Sequence, residues 1–225
     1  WRARGLQVQP FKKGPDYIDP LWLSAAGGRS CINLDFHTMQ PQEIHYEFVR
    51  RMQGADLGLI EGNKGLFDGM DLNGRDSNAA LAILLGAPVV LVIDTSGMTR
   101  GVAPLLLGYQ AFDDRLDLAG VILNKVGGSR HESKLRAVID HYTDIPVLGA
   151  VHRAGELQID ERHLGLIPSN ETPEASGKIE MLARAVSEQV DLDALRAIAN
   201  RPAAPAAITE LPLRRQPDLR IGIAR

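Results

Sequence analysis

Residues 9–20 read Gln9-Pro10-Phe11-Lys12-Lys13-Gly14-Pro15-Asp16-Tyr17-Ile18-Asp19-Pro20, and the rest of the chain is organised around them. Leu6, Val8 and Pro10–Phe11 have the pattern of a short strand, which Lys12-Lys13-Gly14-Pro15 is expected to break. Asp19-Pro20 has the form of an N-cap followed by a first-turn proline, opening a helix through Leu21, Trp22 and Leu23. One strand end therefore offers two ammonium groups, a glycine, two carboxylates and a phenol. Open α/β sheets bind ligands in the loops beyond their strand ends. Lysine brings point charge to a phosphate, and aspartate can hold the Mg²⁺ that accompanies it. A surface turn ahead of a capped helix would use the same residue types.

Outward from this stretch, short apolar runs alternate with amphipathic ones, the pattern of an α/β fold with a parallel sheet flanked by helices. Strands are expected at Leu6–Phe11, Leu57–Glu61, Val89–Asp94, Leu118–Asn124, Val147–Val151 and Leu164–Ile167. Helices are expected at Gln42–Met52, Asn78–Leu85, Val102–Phe112, Glu132–Tyr142, Ala175–Gln189 and Leu192–Ala199. Ile44, Phe48, Val49 and Met52 recur at helical spacing and read as core, as do Trp22 and Phe36. Residues 201–207 form a Pro/Ala linker, and Leu219–Ala224 reads as the first strand of something further. The expected division is one α/β domain over 1–200, a linker over 201–216 and a new strand over 217–225.

The 225 residues are 44% hydrophobic and 24% charged, the balance of one domain with a sizeable core. A formal charge of −3 gives no ground for a nucleic-acid partner. The longest apolar run, Ala79 to Ile93, is split by Gly86 and Pro88 and falls short of the roughly twenty residues that a membrane span needs. A single cysteine, Cys31, excludes an internal disulfide, fits a reducing cytoplasmic setting and reads as a buried or inert thiol. His37, His45, His131, His141, His152 and His163 show no metal-ligand spacing and read as helix-surface or loop residues.

Glu61 and Asp94 each end an apolar strand, where nucleotide-binding sheets present carboxylates to Mg²⁺. Either is equally at home as a solvated strand end. Gly62, Gly65 and Gly69 surround Asp68 and would let backbone approach a ligand, or simply build a tight turn. Asp68 has no local packing reason in the sequence, which points to function.

The stretch PFKKGPDYIDP resembles the PFKxGPDYxDP signature of the cobyrinic acid a,c-diamide synthase family, and Ile60–Gly69 resembles that family's IEGxxGLFDG. Asn33-Leu34-Asp35, Ile93-Asp94-Thr95, Gly120–Asn124 and Glu161–Leu166 agree in order, so the resemblance runs from Gly5 to about Leu195. It implies a P-loop, dethiobiotin-synthetase-like ATP-binding domain followed by a glutaminase domain. The implied reaction amidates the a and c acetates of a tetrapyrrole: ATP phosphorylates a carboxylate, and ammonia from glutamine displaces phosphate. By motif, Lys12 would contact the ATP phosphates and Asn124 the adenine. Asp19 and Glu61 would hold Mg²⁺ or position the reacting carboxylate, Asp68 would serve the acyl-phosphate or ammonia step, and Tyr17 and Ile18 would shape the substrate site. His163 would lie near nucleotide or substrate. A homodimer is allowed.

The sequence departs from the family pattern in three places. No G-x-x-x-x-G-K-[ST] loop occurs in it, and the glutaminase cysteine is absent. Asn63-Lys64 stand where the family commonly has two apolar residues, which keeps sirohaem or another sirohydrochlorin-derived ring open as substrate. Trp1–Arg4 resembles the tail of a phosphate-loop helix, so the domain is expected to be cut at both ends and inactive as it stands. A P-loop-like partitioning or metallochaperone protein, using nucleotide as a switch, is the alternative from another class.

Overall fold

Every strand of the two main sheets runs parallel. The computed structural model describes residues 1–159, 161–162, 165–171 and 174–201. The chain forms β1 (Val8–Lys13), α1 (Ile18–Gly27), β2 (Ile32–Leu34), α2 (Pro41–Met52), β3 (Leu57–Glu61) and α3 (Asn78–Leu85). It continues through β4 (Val89–Asp94), α4 (Val102–Phe112), β5 (Leu118–Val126), α5 (Ser129–Tyr142) and β6 (Val147–His152). A two-residue antiparallel pair, β7 (Glu161–Arg162) and β8 (Gly165–Leu166), precedes α6 (Ala175–Gln189) and α7 (Leu192–Ala199). The strand orders are β2-β1-β3 and β4-β5-β6, the parallel α/β class expected from the alternation of apolar and amphipathic runs. The expected linker and final strand, with His163 and Leu164, lie outside the described residues.

The first strand departs from expectation. Lys12 and Lys13 do not break it; they are its last two residues, and all six positions are buried. Lys12 pairs in register with Asn33 on one side and Glu61 on the other, so the lysines are enclosed by neighbours that the local sequence cannot show. Pro10 is tolerated although it lacks a donor, because β2 joins only from Phe11 onward. The buried Gln9 side chain donates to the Ser30 and Pro10 carbonyls just before that point. β2 itself was not foreseen, being too short to show a period. The expected helix tail at Trp1–Arg4 is a single 3₁₀ turn, Arg2–Arg4.

Local signals fix the better-read elements. Ser77 caps α3 by accepting the Ala80 N–H, and Gly86 closes it in the left-handed conformation (φ 62°). On α2, Ile44 is fully buried, and Phe48 and Met52 pack beside it against Phe11, Leu34 and Leu81. Val49, read as core, is 49% exposed: it falls on the edge of the apolar face. A second core joins Val121, Leu123, Leu135 and Ile139 to Leu106 of α4.

β3 and β4 each pair on one edge only among the described residues. Their other edges line one cavity of about 1840 Å³, closed partly by α3 and α7. Leu59 is 42% and Val92 62% exposed there, although strands of parallel sheets are ordinarily covered on both faces.

The packing assigns different weights to two apolar residues. Phe11 is fully buried with its ring centroid 5.0 Å from that of Phe48, so Phe11→Ala is expected to cost about 3–5 kcal/mol in urea denaturation. Val49→Ala is expected to stay within about 0.5 kcal/mol.

Candidate active site

Lys12 is the penultimate residue of β1 with its side chain 3% exposed, so its charge must be met inside the protein. Its Nζ lies 2.7 Å from Asp19 Oδ2 and 3.7 Å from Glu61 Oε2, and donates to the Gly62 carbonyl at 3.1 Å. α1 brings Asp19, and β3 brings Glu61 through the Lys12–Glu61 register. Asp19 does not cap its helix as expected. That work falls to Asp16, whose Oδ1 accepts the N–H groups of Ile18 and Asp19. The Asp19 carboxylate is thereby left to Lys12. Asn33 steadies the same turn by donating to the Asp16 carbonyl, and its side chain fills the space beside Gly14 where a Cβ would sit.

Two carboxylates thus meet one ammonium, with Asp16 close by. Asp16 is the member that sequence reasoning left unassigned, although it stood in the opening stretch; its charge reaches Glu61. Burial pushes the Glu61 carboxyl above its usual range, Lys12 pulls it back, and Asp19 and Asp16 push it up again. Burial and the Glu61 charge likewise raise the Cys31 thiol to about 12, which keeps it protonated and inert. The donor set suits a divalent cation: Asp19, Glu61 and a carbonyl oxygen already surround a cationic nitrogen, and the acids outnumber the base.

The remaining site expectations fall elsewhere. Tyr17 is 73% exposed at the start of α1, beside half-buried Ile18. Asp68 is exposed and does have a local task, contrary to the sequence reading: its Oδ2 accepts the Gly65 N–H at 3.0 Å and closes the turn. Asn124 lies near the C-terminal end of β5, two residues inside it and in the other sheet, with its Oδ1 accepting the Lys125 N–H. Asp94, its register partner, is held well below the usual carboxylate range by Lys125 at 2.8 Å and by Ser96. The structure therefore gathers Lys12, Asp19 and Glu61 into one cluster and leaves Asn124 on a separate strand end.

Two histidines read as surface residues enter networks instead. His152 Nε2 is 2.8 Å from Glu132 Oε2, and His131 accepts the Gly127 N–H at Nδ1 while its Nε2 meets the Met98 carbonyl at 2.6 Å. Among the described residues no group of three His, Cys, Asp or Glu has metal-ligand geometry, and no helix is long and apolar enough to cross a membrane.

A family model described as an AAA domain matches residues 30–159. The chain belongs to the AAA domain family. It is 51% identical over 210 residues to a cobyrinate a,c-diamide synthase of Magnetococcus marinus, covering 93% of this chain and 45% of that protein. It is 43% identical over 207 residues to a hydrogenobyrinate a,c-diamide synthase of Rhodobacter capsulatus, covering 91% and 47%. A hydrogenobyrinate a,c-diamide synthase of Brucella anthropi is 41% identical over 225 residues, covering 100% and 51%. The chain thus spans about half the length of these curated relatives, which are the kind to which the PFKKGPDYIDP and IEGNKGLFDG blocks pointed.

The raised Glu61 carboxyl has a consequence for stability. A group that binds its proton more tightly when folded stabilises the fold at low pH and loses that contribution as pH rises through its folded value. Glu61→Gln is therefore expected to raise Tm at pH 8 relative to the parent. The difference should shrink as the pH is lowered from 8 to 4, in paired thermal melts across that range.

Proposed function

We propose that the chain is the carboxylate-activating part of an ATP-dependent amidoligase that converts the a and c acetates of a cobyrinate-type tetrapyrrole to amides. The observation that carries this reading is the Lys12–Asp19–Glu61 cluster at the C-terminal end of a parallel sheet, in a chain so similar to named a,c-diamide synthases. In the first step a substrate carboxylate oxygen attacks the terminal phosphorus of ATP, the bond to the leaving oxygen breaks, and acyl phosphate and ADP result. Ammonia, supplied from glutamine by a glutaminase domain, then attacks the acyl carbon. The adduct loses a proton from nitrogen, the carbon–oxygen bond to phosphate breaks, and the amide and inorganic phosphate leave.

A carboxylate is already an anion, so the first step needs charge neutralisation more than a base. Lys12 meets the phosphate oxygens. Asp19 and Glu61 would hold Mg²⁺, which when bound neutralises charge on the transferring phosphoryl group. Tyr17 and Ile18 border the substrate's approach, and Asp68 serves the acyl-phosphate or ammonia step. Asn124 contacts the base of the nucleotide from the second sheet. The open edges of β3 and β4 would accept one further parallel strand carrying the phosphate-binding loop, joining the two sheets and bringing Asn124 and Lys12 to a shared nucleotide.

The test uses the complete synthetase with glutamine, ATP and cobyrinate, read by phosphate release and mass spectrometry. Phosphate release is expected to depend on the tetrapyrrole, with products heavier in nitrogen by one and then two amidations. Glu61→Gln and Asp19→Asn are expected to lower kcat about 100-fold or more in protein that is still folded at the assay temperature, as circular dichroism would show. Phosphate release independent of any carboxylate would overturn the reading and point to a nucleotide switch.

A further inference from the structure

Residues 62–76 cross from β3 to α3 carrying Asp68, and two side chains at the entrance to α3 hold the two halves of the crossing. Asn78 holds the first half. Its Nδ2 donates to the carbonyls of Asn63 and Gly65 at 2.5 and 2.9 Å, and its Oδ1 accepts the Asn63 N–H. Asp76 holds the second, its Oδ2 accepting the Met70 N–H at 2.8 Å and its Oδ1 the Asp71 N–H at 3.1 Å. Asp68 sits between these anchors.

Asp76 is only 7% exposed, and a buried carboxylate is costly unless donors and positive charge meet it. It has both. The two backbone N–H groups, with Lys13 behind them on β1, hold its carboxyl below the usual range, and His37 Nε2 is 3.6 Å from Oδ2. Lys13 is itself buried at the end of β1, next to Lys12. The loop is shaped to this carboxylate: a Cβ at Gly69 would overlap Asp76 Oδ1, so a side chain there would push the carboxylate off its donors.

We propose that Asp76 is a positioning residue for the reaction, its carboxylate fixing the backbone of residues 69–71 and so setting where Asp68 is presented. The proposal rests on the reading of Asp68 as a residue of the amidation step. Misplacing a reacting group by about 1 Å can cost on the order of 100-fold in rate.

The experiment is a double-mutant cycle in the complete synthetase with Asp76→Ala and Gly69→Ala, alongside Asp76→Asn and Asp68→Asn. Two readouts are followed: kcat and KM for diamide formation, and native-state trypsin cleavage after Lys64, which reports loop order without activity. Asp76→Ala is expected to lower kcat about 100-fold with KM for ATP within about twofold, and to speed cleavage at Lys64. Asp76→Asn, which keeps the shape and one acceptor oxygen, should fall between it and the parent. Gly69→Ala should be harmful alone but add little once Asp76 is alanine, because the overlapping oxygen has gone. Additive losses, or Asp76→Ala and Asp76→Asn both within about threefold of parent kcat with Lys64 unchanged, overturn the proposal. Full activity of Asp68→Asn, with the coupling at Lys64 retained, supports the anchor and overturns only the assignment of Asp68.

Discussion

One buried ammonium organises this end of the molecule. Lys12 has almost no contact with water, and an uncompensated charge in that position would cost several kcal/mol. Three elements are therefore held to one point: β1 carries the charge, α1 brings Asp19 and β3 brings Glu61. A slip of one residue in the β1–β3 register would turn the lysine to the other face and leave both acids without it. The start of α1 obeys the same constraint. Asp16 takes over the cap, and Asp19, freed from it, turns toward the ammonium.

That arrangement explains what the sequence did and did not disclose. Strands Leu57–Glu61 and Val89–Asp94 and helices Asn78–Leu85 and Val102–Phe112 were legible because their limits are local, set by apolar runs, a serine cap and a left-handed glycine. Lys12-Lys13 looked like a break because two adjacent charges are rarely buried in a strand. Asp19, in the same stretch, meets Lys12 only once α1 has folded back, and the further acids Glu61 and Asp76 arrive from β3 and from the entrance to α3. β2 hid for another reason, since three residues are too few to show a period. Val49 was misplaced because spacing gives the centre of an apolar face better than its rim.

The candidate site was legible in its residue types and less so in their assignment. Lys12, Asp19 and Glu61 were named from the motif and do meet, whereas Asp16 was passed over because a capping carboxylate is indistinguishable in sequence from a reactive one. Asn124 sits on the other three-stranded sheet, where its register partner Asp94 borders the opening between β3 and β4 that Glu61 also lines. Strand order across that opening is a property of the whole fold, so no local pattern could supply it.

The same rule that hid Asp16 separates the acids now that their surroundings are known. Asp76 and Glu61 lie at the same end of the first sheet region, and their affinities for a proton move in opposite directions. Asp76 receives two backbone N–H donors and faces Lys13, so its charge is satisfied and its oxygens are occupied by structure. Glu61 is only partly desolvated, with 46% of its side chain exposed, shares one ammonium with Asp19 and feels the repulsion of two neighbouring carboxylates. A carboxylate whose charge is already met by backbone donors and a lysine is the less available to a cation. One whose charge the fold leaves incompletely compensated is the more available to a cation or a reacting group. By donors received, Asp76 is held by the scaffold and Glu61 is the freer of the two, a difference that no local pattern in the sequence shows.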